Sequence, residues 1–297
     1  MVNSGMAETW LPEEPPAQKP PRSKLRRTLF TWLGLIAFFI IIYAMFDTSP
    51  NASGAAKDFA GLGQVLVWVV PAAVMIGIFV WTVSGSRRFN ARQAPMLAAL
   101  EDGQYARAAE QFGALARRYR TKPGLASVAS YHQGFALIRA GDAAAAVGVL
   151  LGVERRIELG VDGARRLAAI ELARAFAIGG DVEKATRWLD EARRRGADLS
   201  GDLLIIEGMV LCRAGRFEDA ARHFDDTWTR IEARTHLRGM RDAWLLRAFA
   251  VAGTSTPRNS GAIEPWLHLV RTTTPSSFAW LTAHWPALAT FAATNGV

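Results

Sequence analysis

Residues Tyr131–Leu150 read YHQGFALIRAGDAAAAVGVL, an apolar helical run that stops at Ala140-Gly141-Asp142 and restarts with four alanines. Glycine at such a stop accepts the positive φ that ends one helix, and a polar residue beside it starts the next. The same punctuation recurs as EDGQYARAAEQF at Glu101–Phe112, IGGDVEKATRWL at Ile178–Leu189 and RAGRFEDAARHF at Arg213–Phe224. The turn glycines Gly103, Gly141, Gly180 and Gly215 lie 38, 39 and 35 residues apart. A helical pattern punctuated at a near-constant interval predicts stacked helical hairpins, because one hairpin alone cannot bury its apolar face.

After each turn comes a small residue followed four positions later by a large one: Ala108/Phe112, Ala146/Leu150, Ala185/Leu189 and Ala220/Phe224. The alanine admits a neighbouring helix and the large side chain fills the groove one turn on. Before the turns, Gly134 and Leu137, Ala173 and Phe176, and Gly208 and Leu211 repeat a small-then-large pattern on the preceding helix. These residues resemble the tetratricopeptide (TPR) family, whose signature is W-x2-L-G-x2-Y, then A-x3-F and a closing proline. The resemblance covers about Asn90–Arg230 and continues, with a looser match, to Gly253. No repeat has the tryptophan, Pro123 is the only closing proline, and Pro95 falls within the first helix of the first pair. The fold expected is all-α, with a TPR-like solenoid over 90–253 and a C-terminal helical cap over 254–297.

Two uncharged stretches precede the repeats. Leu29–Phe46 runs 18 residues and Leu62–Val83 runs 22. At about 1.5 Å per residue both suffice for a hydrocarbon core about 30 Å thick. Trp32 and Tyr43 in the first, and Trp68 and Trp81 in the second, suit the headgroup region. The first stretch exceeds the roughly 7–15 apolar residues of a signal peptide, and a second follows it. The expected organisation is a proline-rich basic tail over 1–28, membrane spans over 29–46 and 62–83, and an external loop over 47–61. Lys19, Arg22, Lys24, Arg26 and Arg27 precede the first span and Arg87, Arg88 and Arg92 follow the second, while the loop holds only Lys57. The positive-inside rule then puts both termini and the repeats in the cytoplasm. The alternative is a periplasm-facing assembly factor for envelope or cytochrome biogenesis, which the flanking charges oppose. Only five of 35 basic residues are lysine, a bias that with abundant alanine suggests a GC-rich bacterial genome and hence the inner membrane.

No motif for chemistry emerges. The chain lacks a G-x-x-x-x-G-K-[ST] phosphate loop, an H-E-x-x-H helix and a G-x-S-x-G elbow. Cys212 stands alone and no two of the five histidines have ligand spacing. Neither catalysis, a cofactor nor a metal is therefore expected. The net charge of +8 raises nucleic acid as a partner. The basic clusters at Arg117–Lys122 and Arg193–Arg195, however, sit where helix ends favour cations, and acidic residues are interspersed. Specific nucleic-acid binding is not expected.

In the TPR family the first helices of successive pairs line a concave groove for peptide segments of partner proteins. Carried over by phase, the resemblance implies Tyr131, Phe135 and Arg139 in the second pair, Ile170 and Arg174 in the third, and Ile205, Met209 and Arg213 in the fourth. Arg247 follows if a fifth pair exists. The competing reading makes Ile170, Ile205 and Phe135 core and the arginines solubilising helix ends. The segment after Arg271 has no Asp, Glu, Lys or Arg, and Phe278, Leu281, Trp285, Leu288 and Ala292 recur on one helical face. It reads as a cap, with a membrane or partner contact and a third span as the other options.

Overall fold

The computed structural model describes residues 86–156, 161–197, 200–235, 237–254, 260–273 and 278–297. The expected spans at 29–46 and 62–83, their loop and the 1–28 tail lie outside the described residues, among which no helix is long and apolar enough to cross a membrane. Most of the described residues belong to the compact unit that contains Gln93–Val297. Of the other unit, Ala17–Arg92, only residues 86–92 are described, and they are helical.

All regular structure among the described residues is helical. Residues 86–101 form α1, Tyr105–Arg118 α2, Pro123–Arg139 α3, Ala143–Glu154 α4, Asp162–Gly179 α5 and Val182–Arg194 α6. Gly201–Arg213 is α7, Phe217–Arg234 α8, Leu237–Ala252 α9, Glu264–Thr272 α10, Ala279–Thr282 α11 and Pro286–Thr294 α12. Each helix from α2 to α9 packs on the next, and α3 also packs on α5, α5 on α7 and α7 on α9. Helices α3, α5, α7 and α9 therefore form one layer, with each pair closed by the even-numbered helix that follows.

The turns explain this alternation. Gly103, Gly141, Gly180 and Gly215 all take positive φ, between 71° and 91°. At Gly141 the glycine N–H donates to Ile138 O at 2.9 Å and the next residue, Asp142, donates to Leu137 O at 2.9 Å. The same two bonds recur at the other three: Gly103 to Leu100 and Gln104 to Ala99, Gly180 to Ala177 and Asp181 to Phe176, Gly215 to Cys212 and Arg216 to Leu211. This is the Schellman motif, which satisfies the last carbonyls of a helix and needs a left-handed residue at its bend. The residue after the glycine is at once the N-cap of the next helix. Asp142 accepts from Ala145 N at 2.9 Å and Asp181 from Lys184 N at 3.0 Å, each meeting one orphan donor of the new helix.

Packing follows the small-and-large code. Ala108, Phe112, Ala146, Leu150, Ala185, Leu189, Ala220 and Phe224 are all at most 3% exposed. For Leu150 and Phe224 the partner is a glycine on the preceding helix. A Cβ placed on Gly134 would come within 2.6 Å of Leu150 Cδ2, and one on Gly208 would run into the Phe224 ring. Each such Leu or Phe contributes roughly 1.5–3 kcal/mol by leaving water. The layer is deepest at α5, where every residue from Ala168 to Gly179 is buried.

After α10 the chain returns across the odd-numbered layer. α11 packs on α3 and α12 on α9. Pro286 breaks the expected single helix into two, standing at the first position of α12 with Trp285 as its N-cap. The apolar face survives that break: Phe278, Leu281, Trp285, Leu288 and Ala292 are all buried, as is Trp280.

Candidate functional site

The odd-numbered helices carry a row of charged side chains toward one another. Arg139 at the end of α3 pairs with Asp242 of α9 at 2.7 Å, with both side chains 10% exposed or less. Beside them on α5, Arg174 is held 3.4 Å from Glu171 and 3.2 Å from Asp202 of α7. Burial pushes the Glu171 carboxyl above the usual carboxylate range, Arg174 opposes that shift, and Asp202 adds to it. Burial works against the charge on Arg174, but Glu171 and Asp202 outweigh it and hold the guanidinium firmly protonated. The Tyr131 phenol is raised by burial and then by Glu171 and Asp202. With Glu171 protonated, the two arginines balance the two aspartates. With it ionised, the row carries one uncompensated negative charge, which low-dielectric surroundings disfavour.

The C-terminal segment lies on this row. The Arg139 guanidinium stacks over the Trp280 ring at 4.0 Å, with Phe135 on its other flank at 5.6 Å. Arg213 of α7 stands 5.0 Å over Trp285 and donates to His284 O at 2.7 Å. Arg241 of α9 lies 4.1 Å over Phe278 while its Nε donates to Val270 O at 3.2 Å. Phe249 meets Trp285 edge-on at 5.5 Å and Phe291 at 5.3 Å. Guanidinium–ring contacts of this kind are attractive through the ring quadrupole and gain when desolvated.

The residues singled out by phase fall into three groups. Tyr131, Phe135, Arg139, Arg174 and Arg213 lie on the odd-helix layer, in or beside this row. Ile170, Ile205 and Met209 are on the same helices but at most 4% exposed, within the core. Arg247 is elsewhere: it lies between Trp228 of α8 and Trp266 of α10, at 4.2 and 4.3 Å, and pairs with Asp225 at 2.8 Å. No family model, curated protein or solved structure matches the chain. The reading of this face therefore rests on its own residues.

Sequence reasoning passed over Glu171, Asp202, Asp242 and Arg241. A local clue existed for one of them, since Glu171 precedes Arg174 by one helical turn. The remaining clusters have ordinary roles. Arg193 pairs with Asp190 and Glu207, Arg194 with Glu191, and Arg195 with Glu154 and Glu191. His223 reaches neither Asp219 nor Asp226; its Nε2 lies 2.8 Å from Leu204 O. His132 stacks on Phe112 at 5.0 Å, and burial lowers its pKa to about 4, so the ring is neutral there at physiological pH. Among the described residues no group of three His, Cys, Asp or Glu is placed to hold a metal.

Proposed function

We propose that the chain is a membrane-anchored, TPR-like scaffold that engages segments of other proteins on its first-helix layer at the cytoplasmic face of a bacterial inner membrane. The observation that supports the repeat reading is that one turn joins the two helices of four successive pairs, with the same glycine conformation and the same pair of backbone hydrogen bonds at Gly103, Gly141, Gly180 and Gly215; the same motif also ends α6 at Gly196 and α12 at Gly296. Supporting it, small and large residues interlock in phase, and the first helices stack on one another as a layer. The anchor and its orientation rest on the two uncharged stretches and on the basic residues that flank them. The proposed action is binding, and no reaction is assigned.

The reading makes a paired demand on reporter fusions placed after Arg92. A reporter active only in the cytoplasm should work and one active only in the periplasm should stay silent. Periplasmic activity would overturn the cytoplasmic placement and favour the envelope-assembly alternative. Detergent-solubilised full-length protein should also co-purify with defined partner proteins in stoichiometric amounts; recovery of the chain alone, at every detergent and salt condition, would oppose a scaffold.

A further inference from the structure

The first-helix layer is not bare: residues 278–297 occupy it, and the manner of occupation shows what the layer recognises. Three arginines from three helices, Arg139, Arg213 and Arg241, each set a guanidinium on one aromatic ring of the segment, Trp280, Trp285 and Phe278. One of them also binds a main-chain carbonyl, His284 O. Two of the three are held in place from the body itself, Arg139 by Asp242 and Arg241 by the carbonyl of Val270. The segment carries no Asp, Glu, Lys or Arg, so it is held through ring faces, two carbonyls (His284 O by Arg213 and Asn295 O by Arg271) and apolar burial rather than through ion pairs.

Two of the four arginines on this face, Arg139 and Arg174, are already engaged by Asp242, Glu171 and Asp202, so an acidic ligand would have to compete with those carboxylates for them, and the occupant seen there is uncharged. A neutral aromatic ring uses the guanidinium face while leaving each arginine its carboxylate or carbonyl. Part of the body's packing is independent of the segment, although Phe278, Trp280, Leu281, Trp285 and Leu288 join the body's apolar core. Phe112, Leu150, Leu189 and Phe224 fill the spaces within the helical pairs, and the pairs Arg139–Asp242, Arg174–Glu171 and Arg174–Asp202 involve body residues alone. The segment itself is built of one four-residue and one nine-residue helix, too short to be stable apart from the surface they lie on.

We infer that the layer formed by α3, α7 and α9 is a receptor for an uncharged partner segment bearing aromatic side chains, and that residues 278–297 are its resident, exchangeable occupant. This inference deepens the scaffold reading of that layer and rests on it. The partner displaces the chain's own tail, so that binding is set by competition between two segments of like chemistry. Arg139 and Arg213 read the two tryptophan positions, five residues apart in the tail, and Phe249 supplies the apolar floor beneath the second.

Two measurements on the full-length chain in detergent test it. Hydrogen exchange on the wild type should show the amides of α11 and α12 opening as a unit, at least tenfold faster than those of α5 and α7. A fluorescent peptide of sequence Phe278–Val297 should bind saturably, and at least tenfold more tightly to a Trp280→Ala/Trp285→Ala chain than to the wild type. The same peptide with both tryptophans replaced by aspartate should not compete. Tail amides that exchange together with α5 would overturn the proposal without any variant, as would equal competition by the aspartate peptide. A concentration-dependent dimer lost in the double variant would give the seat to a second copy's tail and overturn the partner assignment. Peptide binding as expected with a periplasmic reporter result would sink the cytoplasmic scaffold and leave this receptor standing.

Discussion

Gly141 and Gly148 make opposite demands of the same residue type. Gly141 sits at φ 91° with nothing nearer to an added Cβ than the Trp280 Cα at 4.0 Å, so alanine there meets backbone strain alone. Gly141→Ala should cost about 1–2 kcal/mol. Gly148 lies on the exposed side of α4 with open space around it, and Gly148→Ala should gain roughly 0.5–1 kcal/mol. Thermal melts that rank these two the other way would remove the turn geometry from the account. Glu171 and His132 set opposite pH slopes. The folded carboxyl of Glu171 is raised by burial, so the native state holds its proton longer and stability falls as pH rises from about 4.5 through the folded value. Glu171→Gln should therefore gain in melting temperature relative to the wild type as pH increases. His132 is lowered to about 4 from 6.5 by burial, so stability is lost as pH falls through that window, on the order of 3 kcal/mol in full. His132→Phe, which keeps the stack on Phe112, should flatten the acid side of the melting profile. An unchanged slope in either variant contradicts the assignment of that group. Arg174→Ala would leave the buried Glu171 and the part-exposed Asp202 without their cation and should destabilise by about 1–3 kcal/mol; Arg213, half-buried over Gly180 and the tail, should tolerate the same change with a smaller loss.

Ala146 and Ala185 stand on the inner faces of their helical pairs, and both are fully buried. Replacing either with leucine should overpack its pair and cost about 1–3 kcal/mol; a melt of the full chain unmoved by both would mean that the phase is wrong. These positions were readable from sequence because their cause is local. A glycine that must take positive φ, an aspartate that caps the next helix, and an alanine four residues before a phenylalanine all act within two turns of themselves. Helical spacing likewise marked Phe278, Leu281, Trp285, Leu288 and Ala292 as one buried face, although Pro286 splits the helix that carries them. The inner ion pairs were not readable. Asp242 is 103 residues from Arg139, and no spacing rule joins two positions that meet only after four helical pairs have stacked. Arg247 shows the same limit from the other side. It shares the phase of Arg174, yet on α9 it lies between Trp228 of the fourth pair and Trp266 of the fifth.

The stacked pairs, the charged row across their first helices and the tail seated on it make up the surface to which the proposed recognition role is assigned. Its proposed place, beside a membrane hairpin, would concentrate that surface where a partner's uncharged aromatic segment is most readily met. The test is site-specific photo-cross-linking in the full-length, membrane-embedded chain. A photoreactive side chain at Phe135, on the first-helix layer beside Arg139, is compared with one at Glu183, exposed on α6. The proposed scaffold predicts cross-links from position 135 to a discrete second protein, reduced by excess Phe278–Val297 peptide, and none of that protein from position 183. Cross-links to the same protein from 183 and not from 135 would contradict it.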